Sequence, residues 1–256
     1  MSLLAPKNIN LIKEFSVSWF KLRDQRAVLG LLWSFLNPLI MTTILYFLFK
    51  SRLQLDNDRT YFLYILIGSV AWNFFSITIE EGTRSITGRA HMVRNVVFPK
   101  AILVFSQVGS TVIQHAFELL VVIIFIFIFG VGLSPLIFLF PIVIMIECAL
   151  ITGISLFLAC LNTFARDIEH IWTVVNRMLF FLVPIFYKAE SLSPQFRWIV
   201  TINPMTQIIN FYRDIFLYQR FPSLKAICFT TFFSLCICFL GYKFFKHYEY
   251  KIVEKV

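Results

Sequence analysis

Residues 101–129 read AILVFSQVGSTVIQHAFELLVVIIFIFIF. No Lys, Arg, Asp or Pro interrupts them, and His115 and Glu118 are the only ionisable side chains. A helix needs about 20 apolar residues to cross a bilayer core, so this stretch can span one and project past it. The rest of the chain has the same character. Of 256 residues, 59% are hydrophobic and 14% charged, with a mean hydropathy of +0.78, whereas a soluble domain is about 25% charged. So little polar surface cannot coat a globule, and part of the solvent must be lipid. The expected fold class is an all-α integral membrane protein, built as a single unit over residues 1–256.

Five further stretches are long and apolar enough: about Leu31 to Phe49, Tyr61 to Ile79, Pro135 to Thr163, about Ile171 to Tyr187, and Leu224 to Gly241. The fifth in chain order, 171–187, is short and carries Arg177. Six transmembrane helices are therefore predicted in a membrane domain over residues 29–243, with a tail at 244–256. In residues 1–28, Ile12, Phe15, Trp19 and Leu22 recur at three- and four-residue spacing and share one helix face. Basic and acidic residues lie largely elsewhere, which fits an amphipathic helix at the membrane interface. These residues lack the pattern of a cleaved signal. With the N-terminus inside, 15 of the 23 Lys and Arg residues fall in inside segments. The positive-inside rule then puts both termini in the cytoplasm, together with the basic segment TRSITGRAHMVRNVVFPK at 83–100. That role accounts for the net charge of +9 without a nucleic-acid partner.

Between the last two spans lies KAESLSPQFRWIVTINPMTQIINFYRDIFLYQRFPS, rich in Ile and aromatics but broken by Pro194, Pro204 and Pro222. Proline removes a backbone donor and turns the preceding residue away from helix, and unpaired backbone groups cannot face lipid. Short broken helices that re-enter the outer leaflet are expected here. The five cysteines, Cys148, Cys160, Cys228, Cys236 and Cys238, form no C-x-x-C pair and read as inert thiols in apolar runs.

No catalytic constellation is present. There is no G-x-x-x-x-G-K-[ST] phosphate loop, no H-E-x-x-H and no G-x-S-x-G. The four His are scattered, and the nearest acidic groupings are Glu80–Glu81 and Asp167 with Glu169. Neither an enzyme nor a metal site is expected. Glu118 and Glu147 lie inside predicted spans, where ionisable groups often mark ion or proton paths, and His115 can meet Glu118 one turn along the same helix. A proton-coupled transporter using Glu118 is one reading, and a polar tie between helices is the other. Aromatics make up 18% of the chain. Most serve lipid contacts and interfacial girdles, yet aromatic faces also stack on the C–H faces of sugar rings. Trp33, Tyr46, Trp72, Phe180 and Tyr187 are the candidates to line a conduit for a long glycan.

Four motifs in order resemble the polysaccharide-exporting ABC transporter permeases of the ABC-2 type. RAVLGLLWSFLNPLI supplies Leu29, Gly30, Trp33, Asn37 and Pro38 at the start of the first span. HMVRNVVFPKAIL follows the second, with His91 where the family often has Asn. ARDIEHI carries Arg166 and Asp167 as a cytoplasmic structural motif, and VPIFY with RWIVTINPMTQII covers the fifth span and outer loop. The resemblance implies a homodimer of six-helix chains with a pore between them, and two separate cytoplasmic ATPase subunits that bind ATP and Mg. This chain itself would hold no cofactor. It implies export across the bacterial inner membrane of a lipid-linked polysaccharide such as capsule, teichoic acid or, foremost, O antigen. It also implies that the amphipathic start is an interface helix and the Pro-broken loop a pair of gate helices. A small-molecule exporter of the same fold remains an alternative. Because the chain lacks an engine, Arg89, His91, Met92, Val93 and Arg94 are expected to form a short helix before Pro99 that docks on the ATPase, with Met92 and Val93 as its apolar plug. The bland role of those basic residues, fixing topology, is compatible with this.

Overall fold

The computed structural model describes residues 5–24, 30, 32–50 and 58–255. Leu29, Arg26 and Leu31 of the first-span motif, and the start and end of the 1–28 segment, lie outside the described residues. Among those described there are helices and no strands. Helices α1 (Pro6–Asp24), α2 (Leu32–Phe49), α3 (Asp58–Arg84), α4 (Ala90–Asn95) and α5 (Ala101–Ile128) fill the first half. The second half holds α6 (Phe140–Phe164), α7 (Asp167–Leu182), α8 (Pro194–Ile202), α9 (Pro204–Phe216) and α10 (Leu224–Lys255).

Five of these segments are long and apolar enough to cross a membrane: α2, α3, α5, α6 with the turn at Pro135–Leu139 before it, and α10. The stretch expected as a fifth span, 171–187, is not among them. It contains α7, whose 16 residues rise about 24 Å, short of a hydrocarbon core of roughly 30 Å. Pro184 is the reason: it biases Val183 into an extended conformation (ψ 136°), so the helix stops at Leu182. The last helix departs the other way. It continues from Leu224 past Gly241 to Lys255, so the 244–256 tail is its projecting end.

Local chemistry explains the boundaries. Helix α5 ends in a Schellman motif: Gly130 takes φ 71°, its N–H donates to Phe127 O, and Val131 N–H reaches back to Ile126 O. Asn203 closes α8 and opens α9, its side chain accepting from Met205 N–H at 2.9 Å while Pro204 occupies the first helical position. The Pro-broken loop is thus two short helices, as its sequence predicts. Ten residues of α9 between Met205 and Phe216 are buried, so this helix packs inside the protein.

Helix α3 is the axis of the bundle, with 78% of its most apolar stretch buried against 22% for α2 and 17% for α10. Helices α6 and α10 cross at Gly153 and Gly241, where backbone meets backbone. Helix α1 lies on α5, with Ser16 seated against Gly109. Its Ile12, Phe15 and Trp19 pack on the cluster around Phe98, Ile102 and Phe245. Three of the four residues of that apolar face are thus spent on the protein's own core. Ile9, Val17 and Leu22 are the apolar residues α1 leaves exposed.

Candidate functional site

A cavity of about 380 Å³ opens between α2, α3 and α7. Its wall is unusual for a membrane interior because five carboxamide or hydroxyl side chains, Asn37, Ser69, Asn73, Ser76 and Asn176, share it with Trp72, Phe180 and Phe181. Asn176 Nδ2 donates to Ser76 Oγ at 2.5 Å and joins α7 to α3. Asn73 Nδ2 donates to Glu118 Oε1 at 2.8 Å and joins α3 to α5. Trp72 meets Phe180 edge-on at 6.0 Å and Phe75 at 5.3 Å. The rim is exposed at Asn37, Met41, Arg177 and Phe181. Asn37 also borders a second cavity of about 240 Å³, lined by Arg23, Trp33, Ser34, Glu81, Gln114 and Glu118. From Ser69 to Glu81 the two form a polar and aromatic groove along α3, about 18 Å long at 1.5 Å per residue.

Of the five aromatics proposed for a conduit, Trp72 and Phe180 meet in the first cavity and Trp33 lines the second. Tyr46 and Tyr187 border neither. Tyr46 packs among Phe47, Tyr61 and Phe62. The Tyr187 hydroxyl donates to Leu182 O at 2.7 Å and seals the end of α7. Both tie elements together. Phe181, one residue beyond a chosen position, is the groove aromatic that the sequence reading missed.

His115 and Glu118 meet as their spacing predicts, with Nδ1 and Oε2 3.8 Å apart. Further partners come from elsewhere in the chain and from one turn earlier on α5. Tyr212 on α9 donates to Glu147 Oε2 at 2.5 Å and lies 3.0 Å from His115 Nε2. The phenol thus bridges Glu147 and His115. Glu118 also accepts from Gln114 at 3.0 Å, and Gln114 in turn accepts from Arg23. Next to Tyr212, Arg213 is fully buried and donates to the carbonyls of Tyr64, Pro184 and Ile185, with its guanidinium 3.4 Å from the Tyr64 ring centroid. A buried Arg holding three backbone carbonyls has no local sequence signature.

The basic segment forms a turn at Thr87–Arg89 and then α4. Arg89 points inward. It lies 3.6 Å from the Trp19 ring centroid and donates to Gln107 Oε1 at 2.9 Å and Ser85 O at 3.2 Å. Burial pulls its guanidinium down to about 10, opposed by the nearby Glu81 carboxylate, so it stays charged at neutral pH. Val93 is buried with Ile86, Phe98, Ile102 and Phe245. This corrects the expected plug: Val93 anchors α4 to its own chain and cannot enter a partner, while Met92 is half-buried. His91 and Arg94 are exposed, and the apolar tip is Val97, 93% exposed, beside Val96. Lys100 fixes the return by donating from Nζ to Val96 O and from its backbone to Glu249. Arg166 and Asp167 are exposed at the start of α7. The residue that makes the contact there is Glu169, which pairs with Arg84 Nε at 2.7 Å. Among the described residues no group of His, Cys, Asp or Glu could hold a metal.

The sequence pattern of the ABC-2 type transporter family matches residues 16–217. The chain belongs to that family. Among similar proteins, two O-antigen export system permease proteins RfbA from Klebsiella pneumoniae are 27% and 29% identical over 237 and 238 residues, in each case 91% of this chain and 90% of the relative. The protein of the same name from Myxococcus xanthus is 23% identical over 92% of this chain and 91% of its own length. As an ABC-2 protein the chain is a multi-pass membrane subunit of a transporter. Its matched region contains the groove, the α4 segment and all of α9.

Proposed function

We propose that this chain is the membrane subunit of an exporter that carries a lipid-linked cell-surface polysaccharide, O antigen foremost, outward across the inner membrane. A separate ATPase drives it. The groove of Asn37, Trp72, Asn73, Asn176 and Phe180 is the observation that carries the reading. Amide and hydroxyl groups exchange hydrogen bonds with sugar hydroxyls, and the aromatic rings offer faces to slide on. The relatives named as O-antigen export permeases, alike over about nine-tenths of each chain, point the same way.

The groove's exposed rim favours a homodimer. Arg177 at membrane depth needs water or a partner, and a second copy facing α2 and α7 closes the groove into a conduit. The sixth span is α7 continued by the irregular 183–188 segment. Helix α1 lies along the cytoplasmic membrane surface, and α8 and α9 form the outer gate. The charge bias puts both termini in the cytoplasm. There α4 presents His91, Arg94 and Val97 to the ATPase, and its own rigid seat on Trp19, Gln107 and Phe245 carries the thrust inward.

Two experiments test this. Deleting the gene should remove the glycan from the surface and accumulate its lipid-linked form inside; an unchanged surface glycan refutes the polysaccharide. Val97→Asp should leave the purified protein folded but abolish permease-dependent stimulation of the ATPase, whereas Val93→Asp should fail at folding. Stimulation by Val97→Asp equal to wild type refutes the docking tip. A proton-driven reading draws on the buried His115–Glu118 pair. It predicts that Glu118→Gln stops export with assembly and ATP hydrolysis intact, while the ATPase-driven reading predicts export at near wild-type rate. A small-molecule exporter of the same fold predicts normal surface glycan in the deletion strain.

A further inference from the structure

At the end of the bundle remote from α4 lies a third cavity, about 550 Å³, set between the start of α10, α9 and the segment after α7. It is within the roughly 300–1,000 Å³ range of small-molecule sites, and its wall is polar. Lys188, Glu190, Asn210, Tyr218 and Ser223 all line it. None of these five side chains makes a hydrogen bond within the described residues, although Asn210 is half-buried. Unspent donors and acceptors therefore converge on one concavity. The floor is rigid. Arg213 locks α9 to the Tyr64, Pro184 and Ile185 carbonyls, and Asp214 accepts from Arg220 at 2.7 Å.

We infer that this cavity is a saccharide-binding site that holds a sugar unit of the chain as it emerges, an inference that rests on the polysaccharide reading above. The wall decides the ligand class. A lipid tail would leave these polar groups unpaired. A simple anion is disfavoured, because Glu190 and Asp214 offset Lys188 and Arg220, and the donors of the third cation, Arg213, are spent on the Tyr64, Pro184 and Ile185 carbonyls. A sugar hydroxyl both donates and accepts, so a ring of hydroxyls uses ammonium, amide, phenol and carboxylate groups placed side by side. A site of this kind rejects ligands that lack the hydroxyls, because its polar groups are then left without partners. Placed beyond the groove, such a site would hold the leading sugars between strokes and oppose backsliding.

The test uses the permease with its ATPase in nanodiscs. The probe is a soluble oligosaccharide of one or two repeat units, released by mild acid from the producing cell's own surface glycan. Saturation-transfer NMR should report weak, fast-exchanging binding that excess inorganic phosphate does not displace. Asn210→Leu should weaken it roughly tenfold, the consequence of losing one hydrogen-bonding pair. Lys188→Met with Ser223→Ala, both exposed and so tolerated by the fold, should weaken it as well. Each variant is checked for unchanged size-exclusion elution and ATPase activity. Absence of binding to wild type, wild-type binding by the Lys188→Met/Ser223→Ala protein, or displacement by phosphate overturns the site. The two levels separate in cells. If surface glycan persists without the gene, the polysaccharide reading fails. If it depends on the gene but the probe does not bind, only the cavity inference fails.

Discussion

Replacing Gly153 by Ala places a methyl group 2.5 Å from the carbonyl carbon and oxygen of Ile237 and 2.6 Å from the amide nitrogen of Cys238. Carbon atoms in good contact sit about 3.5–4.0 Å apart, so α10 must retreat by roughly 1 Å along that line. The obstructing atoms are helix backbone and have no rotamer in which to move aside. In an open helix the same substitution gains about 0.8–1.0 kcal/mol from helix propensity. Overpacking costs about 1–3 kcal/mol, and with backbone as the obstacle the upper half of that range applies. The expected net effect is a loss of about 1–2 kcal/mol, opposite in sign to the ordinary result. Gly88 is the control, because a methyl there meets nothing within 4 Å. Gly88→Ala should be neutral or slightly stabilising.

The assay is reversible unfolding of the purified protein in mixed micelles, followed by tryptophan fluorescence. Gly241→Ala should behave like Gly153→Ala, since its methyl would meet the Gly153 carbonyl and Cα. The double variant should cost less than the sum of the two, because helices already separated for one methyl have room for the other. A Gly153→Ala protein as stable as the Gly88→Ala control would refute the backbone contact between α6 and α10.

Arg213→Lys should lower stability by about 2–4 kcal/mol, because a point charge cannot serve three carbonyls and the Tyr64 face at once; an unchanged thermal midpoint would refute the clamp. Tyr212→Phe should cost about 1–3 kcal/mol by leaving Glu147 and His115 short of a partner, and in a double-mutant cycle Tyr212→Phe with Glu147→Leu should lose less than the separate effects combined. Strict additivity would dismiss that hydrogen bond. Arg89→Lys keeps the charge but loses the fork on Gln107 and the stack on Trp19, for a cost of about 1–2 kcal/mol. It should reduce coupling between ATP hydrolysis and transport more than it reduces assembly, read as ATP consumed per glycan exported.

Five of the six expected spans were legible because lipid makes hydropathy a strong constraint; the other, 171–187, was read through Pro184, where α7 stops. The break into the short helices α8 and α9 was legible from Pro194 and Pro204. What could not be read was which polar side chain faces which neighbour. Val93 has the composition of a docking plug, yet Ile86 and Phe98 from its own segment and Phe245 from α10, more than 150 residues away, bury it. Tyr46 and Tyr187 have the chemistry of groove aromatics but sit where α2 and α7 are fastened. Tyr212 and Arg213 look like surface residues of a loop, and only the packing of α9 against α3 and α6 reveals them as core.

One feature of α5 was open to reading and links these contacts. Gln107, Thr111, Gln114 and Glu118 recur at four, three and four residues, so they form a polar stripe on one face of a span. A stripe like that cannot face lipid and must meet other polar groups. It does: Gln107 donates to Glu81, Thr78 donates to Thr111 at 3.0 Å, Gln114 accepts from Arg23, and Glu118 accepts from Asn73. Three of those partners, Asn73, Thr78 and Glu81, lie on α3. A slip of one turn between α3 and α5 would unpair all three contacts at once, each worth about 0.6–2 kcal/mol inside a membrane protein. The two helices are therefore keyed in register and must move as one body. Arg89 and Arg23 attach α4 and α1 to the same body through Gln107 and Gln114. Helix α7 is joined to it through two side-chain pairs, Asn176 with Ser76 and Glu169 with the exposed Arg84, and through the ring contacts of Trp72 with Phe180 and Phe75 with Trp172. A push on α4 would thus reach the α3 wall of the groove, and the seam between α3 and α7, held by one partly buried pair and one partly exposed ion pair against three polar contacts between α3 and α5, is the more compliant one, where the groove opens.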